Sequence, residues 1–465
     1  MTQNEKKTTL SLASIYAFRM LGLFMILPVF SLYIDDFKGA TPALMGLALG
    51  VYGLTQGLLQ IPFGLCSDRL GRKPVIIFGL ILFIIGSMVA ARATSIEMLI
   101  YGRAIQGAGA IGSTLTALLA DNTREENRLK AMSVLGMTIG LSFILALIIG
   151  PILDSWVGLS GIFWFTALLA CIGILVLIFI VPTPSRLFIQ RDNQAVLSQF
   201  KAILCTPELL RLDLGIFCLH AILTALFVAV PIIMVDHLDL ANSHQWMIYL
   251  PVLLISFALM LPFIIIAEKK RKMKPIFVGA IALLTLSEIL LGLFHQNLIV
   301  MSLILILFFA AFTFLESSLP SLIAKIAPAG SKGTAMGIYS SAQFLGILVG
   351  GSLSGLVFSR YGFGSIFILC AGLGLLWLCV ALTMKKPQHL SSKIIAIEIE
   401  DNAEAVRALQ AKLLATPGVF DAMVCPAERV AYLKIDKNLF NPDCNPACDG
   451  ETTKPTAPTH SEPTA

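Results

Sequence analysis

One short polar segment holds the residues of this sequence that are best suited to chemistry between helices. In GLCSDRLGRKPVI, at positions 64–76, a single carboxylate lies beside three cations and between two glycines. An acid at the end of an apolar stretch is costly unless it finds a cation or the N-terminus of a helix. The glycines allow a neighbouring backbone to approach closely enough to supply one. The residues of this candidate latch are Gly64, Asp68, Arg69, Gly71, Arg72 and Lys73.

Ionisable residues also interrupt apolar stretches that are long enough to cross a bilayer, and such residues commonly mark ion or substrate pathways. Glu316, in FFAAFTFLESSLPSL, is the first choice for a proton-accepting group, with a structural acid as the alternative. Arg19 and Arg103 each require a polar cavity or a carboxylate on another helix, or else form structural ion pairs. A histidine ordinarily titrates near neutrality, which makes His220 a further candidate, although a single histidine on an apolar face is more often a packing residue. Glu288 completes this set of buried candidates.

The sequence argues against several other classes of function. It contains no nucleophile-and-base pair, metal-ligand cluster or phosphate-binding loop, so we expect neither an enzyme nor a cofactor or metal site. The nine cysteines are scattered, which argues against a disulfide framework, and Cys444 and Cys448 form an isolated pair in a polar tail. The net charge of +5 is explained by the basic loops of a membrane protein. It therefore gives no reason to expect nucleic-acid binding.

Composition places the elements that carry these residues in a lipid bilayer. Of the 465 residues, 57% are hydrophobic and 13% are charged, which is far too apolar for a soluble protein. A membrane-spanning helix needs about 20 apolar residues. Twelve stretches meet this requirement, at residues 10–34, 42–63, 74–92, 96–120, 130–153, 161–182, 211–235, 246–267, 275–294, 298–324, 333–358 and 363–384. We therefore predict an all-α polytopic membrane protein.

The loops between these stretches carry most of their lysines and arginines on one side. On the other side lie Lys38, Arg92 and Arg360. Because basic loops stay in the cytoplasm, both termini are predicted to be cytoplasmic. The first apolar stretch is long and lacks a cleavage pattern, so we expect it to be retained as a span. Asp121, which ends the fourth stretch, lies on the same cytoplasmic side as Arg72.

The second half of the chain repeats features of the first. At an offset of 200 residues the sequence repeats Pro62, Phe63, Asp68 and Arg69 as Pro262, Phe263, Glu268 and Lys269. Two repeats in the same orientation are what a transporter with a central site between them would use. We therefore predict two six-helix bundles, at residues 1–182 and 211–386, joined by a cytoplasmic linker at 183–210 that contains a short amphipathic helix near 193–204.

After Pro387 the composition changes to that of a small cytoplasmic domain. Alternation and helical periodicity predict a strand at 393–400, a helix at 403–414 and strands at 419–425 and 429–436. The domain, at residues 391–437, therefore has the β-α-β-β order of a small α+β, ferredoxin-like unit. Its predicted core consists of Ile395, Ile397, Val406, Leu409, Leu413, Val424 and Leu433. The Pro- and Thr-rich tail, at residues 438–465, is predicted to be disordered.

The polar segment and two further patterns resemble the major facilitator superfamily of transporters. The signature loop of that family, G-x-L-x-D-R-x-G-R-K, resembles the segment from Gly64 to Lys73, with Cys66 in place of the usual leucine. The family's R-x-x-Q-G-x-G element on the fourth helix resembles the segment from Arg103 to Gly109. Leu21, Gly22 and Pro28 resemble the first helix of its drug and proton antiporter branch. The appended β-α-β-β domain favours the subgroup whose members carry such a domain.

This resemblance implies a mechanism as well as a fold. In the family, the acid of the loop, here Asp68, braces the N-terminal half against the start of the eleventh helix when the transporter opens outward. The second arginine of the loop, here Arg72, pairs with the acid that ends the fourth helix, here Asp121. The resemblance further implies a multi-pass protein of the bacterial inner membrane. The fifth helix departs from the antiporter pattern, because Gly-Pro at 150–151 is followed by Ile152 rather than by two more glycines.

Three hypotheses for function remain open at this level. The leading one is a secondary transporter that couples the export of small, drug-like or amphipathic molecules to protons. The second is a facilitator or proton symporter for a metabolite, and the third is a membrane sensor that signals through its cytoplasmic domain. The expected partners are a small-molecule substrate, protons and the lipid bilayer. For the small domain, the alternatives are a bound ligand, a partner protein and the pairing of two subunits into a dimer.

Overall fold

The computed structural model describes residues 1–182, 203–327, 332–385, 391–397, 402–425, 430–435 and 439. The chain forms two compact units. The first contains Met1–Ile323 and Thr334–Lys386, and the second contains Ala324–Gly333 and the chain from Pro387. Residues 193–202 of the predicted linker helix and the predicted tail beyond residue 439 lie outside the described residues. The division of the first unit into two six-helix bundles stays a prediction.

Long helices form the first unit, because an apolar segment in a bilayer satisfies its backbone hydrogen bonds internally as a helix. The helices of the N-terminal half are α1 (Gln3–Phe24), α2 (Pro42–Leu70), α3 (Arg72–Ala91), α4 (Ile96–Ala108), α5 (Gly112–Asp121) and α6 (Glu125–Phe179). The helices of the C-terminal half are α7 (Pro207–Ile232), α8 (Trp246–Lys269), α9 (Met273–Phe294), α10 (Leu298–Ile326), α11 (Lys332–Tyr361) and α12 (Phe363–Leu382).

The predicted all-α membrane fold is confirmed. Within the described ranges, nine helices are long and apolar enough to cross a membrane. The predicted number of stretches was larger because two of them are interrupted and two others share one continuous helix. Twelve separate spans therefore stay a prediction, although each predicted stretch lies mainly on helical residues.

The first predicted span is not a single helix from 10 to 34, so that expectation is wrong. α1 ends at Phe24, a turn follows, and a 3-10 helix then runs from Phe30 to Asp36. Pro28 lies in the turn. A proline lacks the backbone N–H that the helix needs and its ring clashes with the preceding turn, so the α-helix ends before it.

The fourth predicted span, at 96–120, is broken as well. The sequence GAGAIG at 107–112 lies at the break between α4 and α5, and each glycine in a helix costs about 1 kcal/mol relative to alanine. The break also brings Gly109 against α3, since a Cβ on Gly109 would lie 2.3 Å from the carbonyl oxygen of Gly79. As a result, α5 starts within the predicted span with an N-terminus of its own.

The fifth and sixth predicted spans, at 130–153 and 161–182, share helix α6. A single non-helical residue, Gly158, separates them, with a φ of 65° and a ψ of −179°. This conformation strains any residue with a side chain, so glycine is required there. The chain therefore turns between the two spans without a separate loop.

The small domain in the second unit has the predicted order of elements. Its described elements are β1 (Ser391–Ala396), α13 (Ala403–Ala415), β2 (Val419–Cys425) and β3 (Val430–Ile435). The strands form an antiparallel sheet in the order β1-β3-β2. All seven predicted core residues belong to one cluster, in which Val406 and Leu409 are partly buried and the other five are buried.

Replacing Leu433 tests this core. Leu433→Ala is expected to destabilise the domain by about 2–5 kcal/mol, because it removes a large, fully buried side chain. That loss is comparable with the whole folding free energy of a small domain. We expect trypsin to cut the domain faster in the full-length variant, as followed by gel electrophoresis. Phe420→Ala is the matched control, because Phe420 is 49% exposed, and equal cleavage rates would contradict the assigned core.

Candidate functional site

The two halves of the first unit are joined at one end. We call the end of the helices that carries Asp68 the inner end and the end that carries Asp154 the outer end. At the outer end, Asn242 of the C-terminal half donates a hydrogen bond to Asp154. Ser31 Oγ donates to the carbonyl oxygen of Phe227 at 3.3 Å, again across the two halves. These contacts close the outer end.

Helices α2 and α11 extend the contact between the halves toward the middle of the unit. A Cβ on Gly46 would lie 2.0 Å from the carbonyl oxygen of Gly351, so the two backbones touch and any side chain would force them apart. Farther inward, Ser341 Oγ donates to the carbonyl oxygen of Gly57 at 3.3 Å. The two helices therefore run antiparallel and in contact over this distance.

Beyond that point α2 and α11 separate. The same register would bring Gly337 to the level of Gln60 and Ile61, yet a Cβ on Gly337 would have no atom of the described residues within 4 Å. A Cβ on Gly64 would meet Ser113 Oγ of its own half at 3.5 Å. A bundle that is closed at its outer end and parted at its inner end has the arrangement of an inward-facing transporter.

The candidate latch lies at this parted end and is mainly helical, and is not a polar segment outside the predicted spans at 42–63 and 74–92. α2 continues through Asp68, and Gly71, with a φ of 94°, is the single residue between α2 and α3. Arg72 joins the two acids, because its Nε donates to Asp121 Oδ2 at 3.0 Å and its Nη1 contacts Asp68. The structure thus brings Asp68, Arg72 and Asp121 together within the N-terminal half.

The other predicted latch residues have different surroundings. Lys73 donates through Nζ to the carbonyl oxygen of Val181, which ties the start of α3 to the end of the sixth predicted span. Arg69 is exposed, and the Asp68 side chain keeps 49% of its surface exposed. The Arg72 network also includes Ser67, whose Oγ accepts from Arg72 Nη1 at 2.6 Å. The position of this serine, directly before Asp68 in the sequence, could have indicated its part in the network.

A small central cavity lies between the two halves. Most of its wall is apolar, and one charged group and one titratable group are among the lining residues. The cavity is lined by Leu23, Phe24, Leu27, Leu49, Arg103, His220, Leu223, Thr224 and Ile347. Arg103 comes from the N-terminal half and His220 from the C-terminal half. The cavity volume of about 10 Å³ is that of a single water molecule, so a small molecule enters only if the halves separate further.

In the C-terminal half, His220 belongs to a polar cluster with Glu316. Its Nδ1 lies 3.8 Å from Glu316 Oε2. Gln343, on α11, links the pair, since its Nε2 lies 2.8 Å from His220 Nε2 and 3.5 Å from Glu316 Oε1. The structure therefore brings together two residues that the sequence offered separately. The third member of the cluster, Gln343, could have been found in the sequence because it is a polar residue inside an apolar stretch.

Sequence reasoning also missed Asp213 and Tyr339 near this cluster. Asp213 lies on α7 seven residues before His220, so both face the same side of the helix. Tyr339 lies within electrostatic range of both Glu316 and Asp213. Asp213 Oδ1 is buried and has no hydrogen-bond partner among the described residues. Its spacing of seven residues from His220, which is two helical turns, could have revealed Asp213 in the sequence.

Glu288 does not join this cluster. It is fully buried, with the thiol of Cys370 on α12 beside it. Neither of its carboxylate oxygens has a hydrogen-bond partner in the described part of the chain. In the same residues, no group of three or more His, Cys, Asp and Glu side chains is placed to hold a metal ion.

The two buried arginines of the N-terminal half meet at Tyr52. The guanidinium of Arg103 lies over the Tyr52 ring, 4.7 Å from its centroid. Arg103 also donates to the carbonyl oxygen of Ala48 and to Gln106, so hydrogen bonds offset the burial of its charge. Arg19 donates to the Tyr52 hydroxyl at 3.2 Å. Neither arginine has a carboxylate partner among the described residues.

Comparison with known proteins decides the family. A sequence profile of the family described as Major Facilitator Superfamily matches residues 12–347 and, in a second match, residues 273–420. The chain belongs to the major facilitator superfamily. It is 45% identical over 441 residues to "Inner membrane transport protein YajR" of Escherichia coli, covering 95% of this chain and 96% of that relative. The predicted family and YajR-like subgroup are therefore confirmed, and the chain is a multi-pass transporter of the bacterial inner membrane.

Two more members of the superfamily extend the comparison. "Multidrug resistance protein D" of Escherichia coli is 35% identical over 139 residues, which are 30% of this chain and 34% of that relative. A solved bacterial homologue of the human lysosomal transporter Spinster, in an inward-facing and occupied conformation, has a TM-score of 0.69 at 14% identity, covering 83% of this chain and 98% of that one. The likeness to the Spinster homologue shows the superfamily fold.

Breaking the Arg72 pair tests the observed network. Arg72→Gln is expected to lower the stability of the first unit by about 1–3 kcal/mol, because it leaves two acids without their cation. The Arg72 and Asp121 side chains are only 15% and 22% exposed, so water replaces the contact poorly. The measurement is the thermal unfolding midpoint of the purified protein in detergent. Arg69→Gln removes an exposed charge of the same kind and serves as the control, and equal midpoints for the two variants would contradict this assignment.

Proposed function

We propose that this transporter couples the export of small amphipathic molecules to protons and works by alternating access. The observation that carries the proposal is the cluster of Glu316, His220 and Gln343 at the wall of the central cavity. His220 lines the cavity, and Glu316 lies behind it with 34% of its side-chain surface exposed. An ionisable acid at such a depth is costly, and in membrane proteins it commonly takes part in proton relays.

Gln343 determines how the cluster handles a proton. Its amide nitrogen is within hydrogen-bond distance of both His220 Nε2 and Glu316 Oε1, so the amide donates to both. His220 then accepts at Nε2 and carries its own proton on Nδ1, the nitrogen that faces Glu316 Oε2. An incoming proton is therefore taken up by the carboxylate of Glu316, whose negative charge it removes.

Proton uptake shifts the balance between the two orientations of the transporter. Near a potential of 100 mV, one charge that crosses the whole field is worth about 2.3 kcal/mol. That energy changes a two-state equilibrium by roughly fiftyfold. Protonation of Glu316 then favours the inward-facing arrangement, in which the latch acid Asp68 is released. The half-exposed Asp68 side chain in the inward-facing structure supports this order of events.

An amphipathic substrate and the outward direction have two supports. The central cavity is lined mainly by leucine, isoleucine and phenylalanine side chains, with Arg103 and His220 as the groups that can fix orientation. "Multidrug resistance protein D", whose name denotes drug resistance, is similar to part of the chain. A proton symporter for a metabolite would move substrate and protons in the same direction, so the direction of flux separates the two functions.

Proton coupling is tested by a pair of substitutions. Purified protein in liposomes is given a pH gradient and a panel of amphipathic fluorescent dyes, one cationic, one neutral and one anionic. We expect wild type to move at least one dye against the proton flow. Glu316→Gln should reduce this gradient-driven flux by about tenfold or more, because a neutral amide cannot exchange the proton.

Glu288→Gln is the matched control for Glu316→Gln. It removes an acid that is buried more completely than Glu316 and that lies away from the central cavity cluster. Its flux should stay within about twofold of wild type. Wild-type flux in Glu316→Gln, or equal losses in both variants, would contradict the assignment of the proton to Glu316.

The latch is tested in the same liposomes. Asp68→Asn should abolish transport while the protein remains inserted and folded, because the outward-facing state loses the charge that braces it. Flux and the thermal unfolding midpoint are both measured. Asp36→Asn, which removes an exposed acid at the outer end, is the control. Unchanged flux in Asp68→Asn would count against the latch.

A further inference from the structure

The break between α4 and α5 leaves a helix N-terminus inside the N-terminal half. The first backbone hydrogen bond of α5 runs from the Leu115 N–H to the carbonyl oxygen of Ile111. The N–H groups of Gly112, Ser113 and Thr114 precede it, and no side chain caps them. Free N–H groups and the positive end of the helix dipole attract anions. In transporters, broken helices use such ends to bind anionic substrate groups.

A buried cation lies at the same place. Arg19 is 2% exposed, and its Nε and Nη1 have no hydrogen-bond partner among the described residues. Its Nη2 donates to a neutral group, the hydroxyl of Tyr52. A buried guanidinium without an anion is costly, because the Tyr52 hydroxyl does not neutralise the charge. The missing partner is therefore a negative charge.

The free groups of Arg19 face the N-terminus of α5. The place where a Cβ on Gly112 would stand is 3.4 Å from Arg19 Nη1 and 3.4 Å from the Tyr16 hydroxyl oxygen. Gln60 Oε1, which accepts a hydrogen bond from Gln56 Nε2, borders the same space at 3.9 Å. Thr114 Oγ1, in the first turn of α5, is also buried without a partner. Donors from two helices, α1 and α5, thus border one space.

From this convergence we infer that Arg19 and the N-terminus of α5 bind the carboxylate group of an amphipathic organic anion. The inference rests on the proposed transport function and names its substrate class. The single positive charge of Arg19 matches the single negative charge of a monoanion. Leu23, one turn beyond Arg19 on α1, lines the central cavity, so an apolar body attached to the carboxylate has an apolar surface to contact.

The membrane potential favours this class of cargo. A cell interior is negative, so an anion leaving the cell moves with the field while protons enter with it. Export of an anion in exchange for protons is thus driven by both the potential and the pH gradient. An ion pair between Arg19 and an acid of the protein would need a carboxylate nearby, and none of the described residues supplies one within 4.0 Å.

The test compares three probes that differ in one group. Purified full-length protein in detergent is titrated by calorimetry with 4-phenylbutyrate, with 4-phenylbutanamide and with 4-phenylbutylamine. We expect wild type to bind the carboxylate at least about tenfold more tightly than the amide, and the amine most weakly. Equal affinities, or a preference for the amine, would overturn the inference without any variant.

Two substitutions localise the site. Arg19→Gln should bring the carboxylate and amide affinities within about threefold of each other, whereas Arg92→Gln, at the outer end, should leave the preference intact. Gly112→Ala places a methyl group in the space between Arg19 and the N-terminus of α5, at ordinary contact distance from its neighbours, where it obstructs the carboxylate. It should remove carboxylate binding without lowering the thermal unfolding midpoint, and Gly364→Ala, which meets no described atom within 4 Å, is its control.

Retained carboxylate preference in both Arg19→Gln and Gly112→Ala would overturn the site. The binding experiment uses no pH gradient, so its outcome does not depend on proton coupling. If the carboxylate preference depends on Arg19 but Glu316→Gln keeps its flux, the coupling proposal alone is wrong. If flux depends on Glu316 but the three probes bind equally, the anion site alone is wrong.

Discussion

The cost of an unpaired charge in hydrocarbon governs this protein. An apolar helix bundle tolerates an embedded charge when hydrogen bonds, an opposite charge or a polar cavity offset the loss of water. Arg103 meets this condition through Gln106, Ala48 and the Tyr52 ring. Arg19 does not, and the carboxylate of Glu316 has only weak contacts with His220 and Gln343. The charges that the protein leaves uncompensated are therefore those that a transported anion or a proton can compensate.

The embedded charges are separated by sign between the two halves. Arginines lie in the N-terminal half, on α1 and α4, and acids lie in the C-terminal half, on α7, α9 and α10, apart from Glu5 and the outer-end Asp154 of the N-terminal half. The halves touch at the outer end through glycine-mediated backbone contact and part at the inner end. Because the arginines of one half have no acidic partner in the other half among the described residues, a proton or an anion can alter the balance between the halves. That balance is what alternating access requires.

Helix breaks matter as much as the helices. A continuous fourth helix would have satisfied every N–H group between Ala108 and Leu115 internally. The glycines that disrupt it allow close packing on α3 and also free the N-terminus of α5 beside Arg19. The glycines at this break therefore allow tight packing on α3 and also leave backbone N–H groups free in an apolar interior.

By itself, the sequence determined the membrane class, the family, the small β-α-β-β domain and its core, because hydrophobic period and local motifs depend on neighbours in the chain. It also indicated which charges were anomalous. The break at Pro28 follows from the proline itself, whereas the break at Gly109 and the helical course of the latch were decided by packing between helices. So were the grouping of His220 with Glu316 and Gln343 and the meeting of Arg19 with the start of α5. These pairings join residues that are distant in the chain, and no local pattern specifies which faces of separate helices come together.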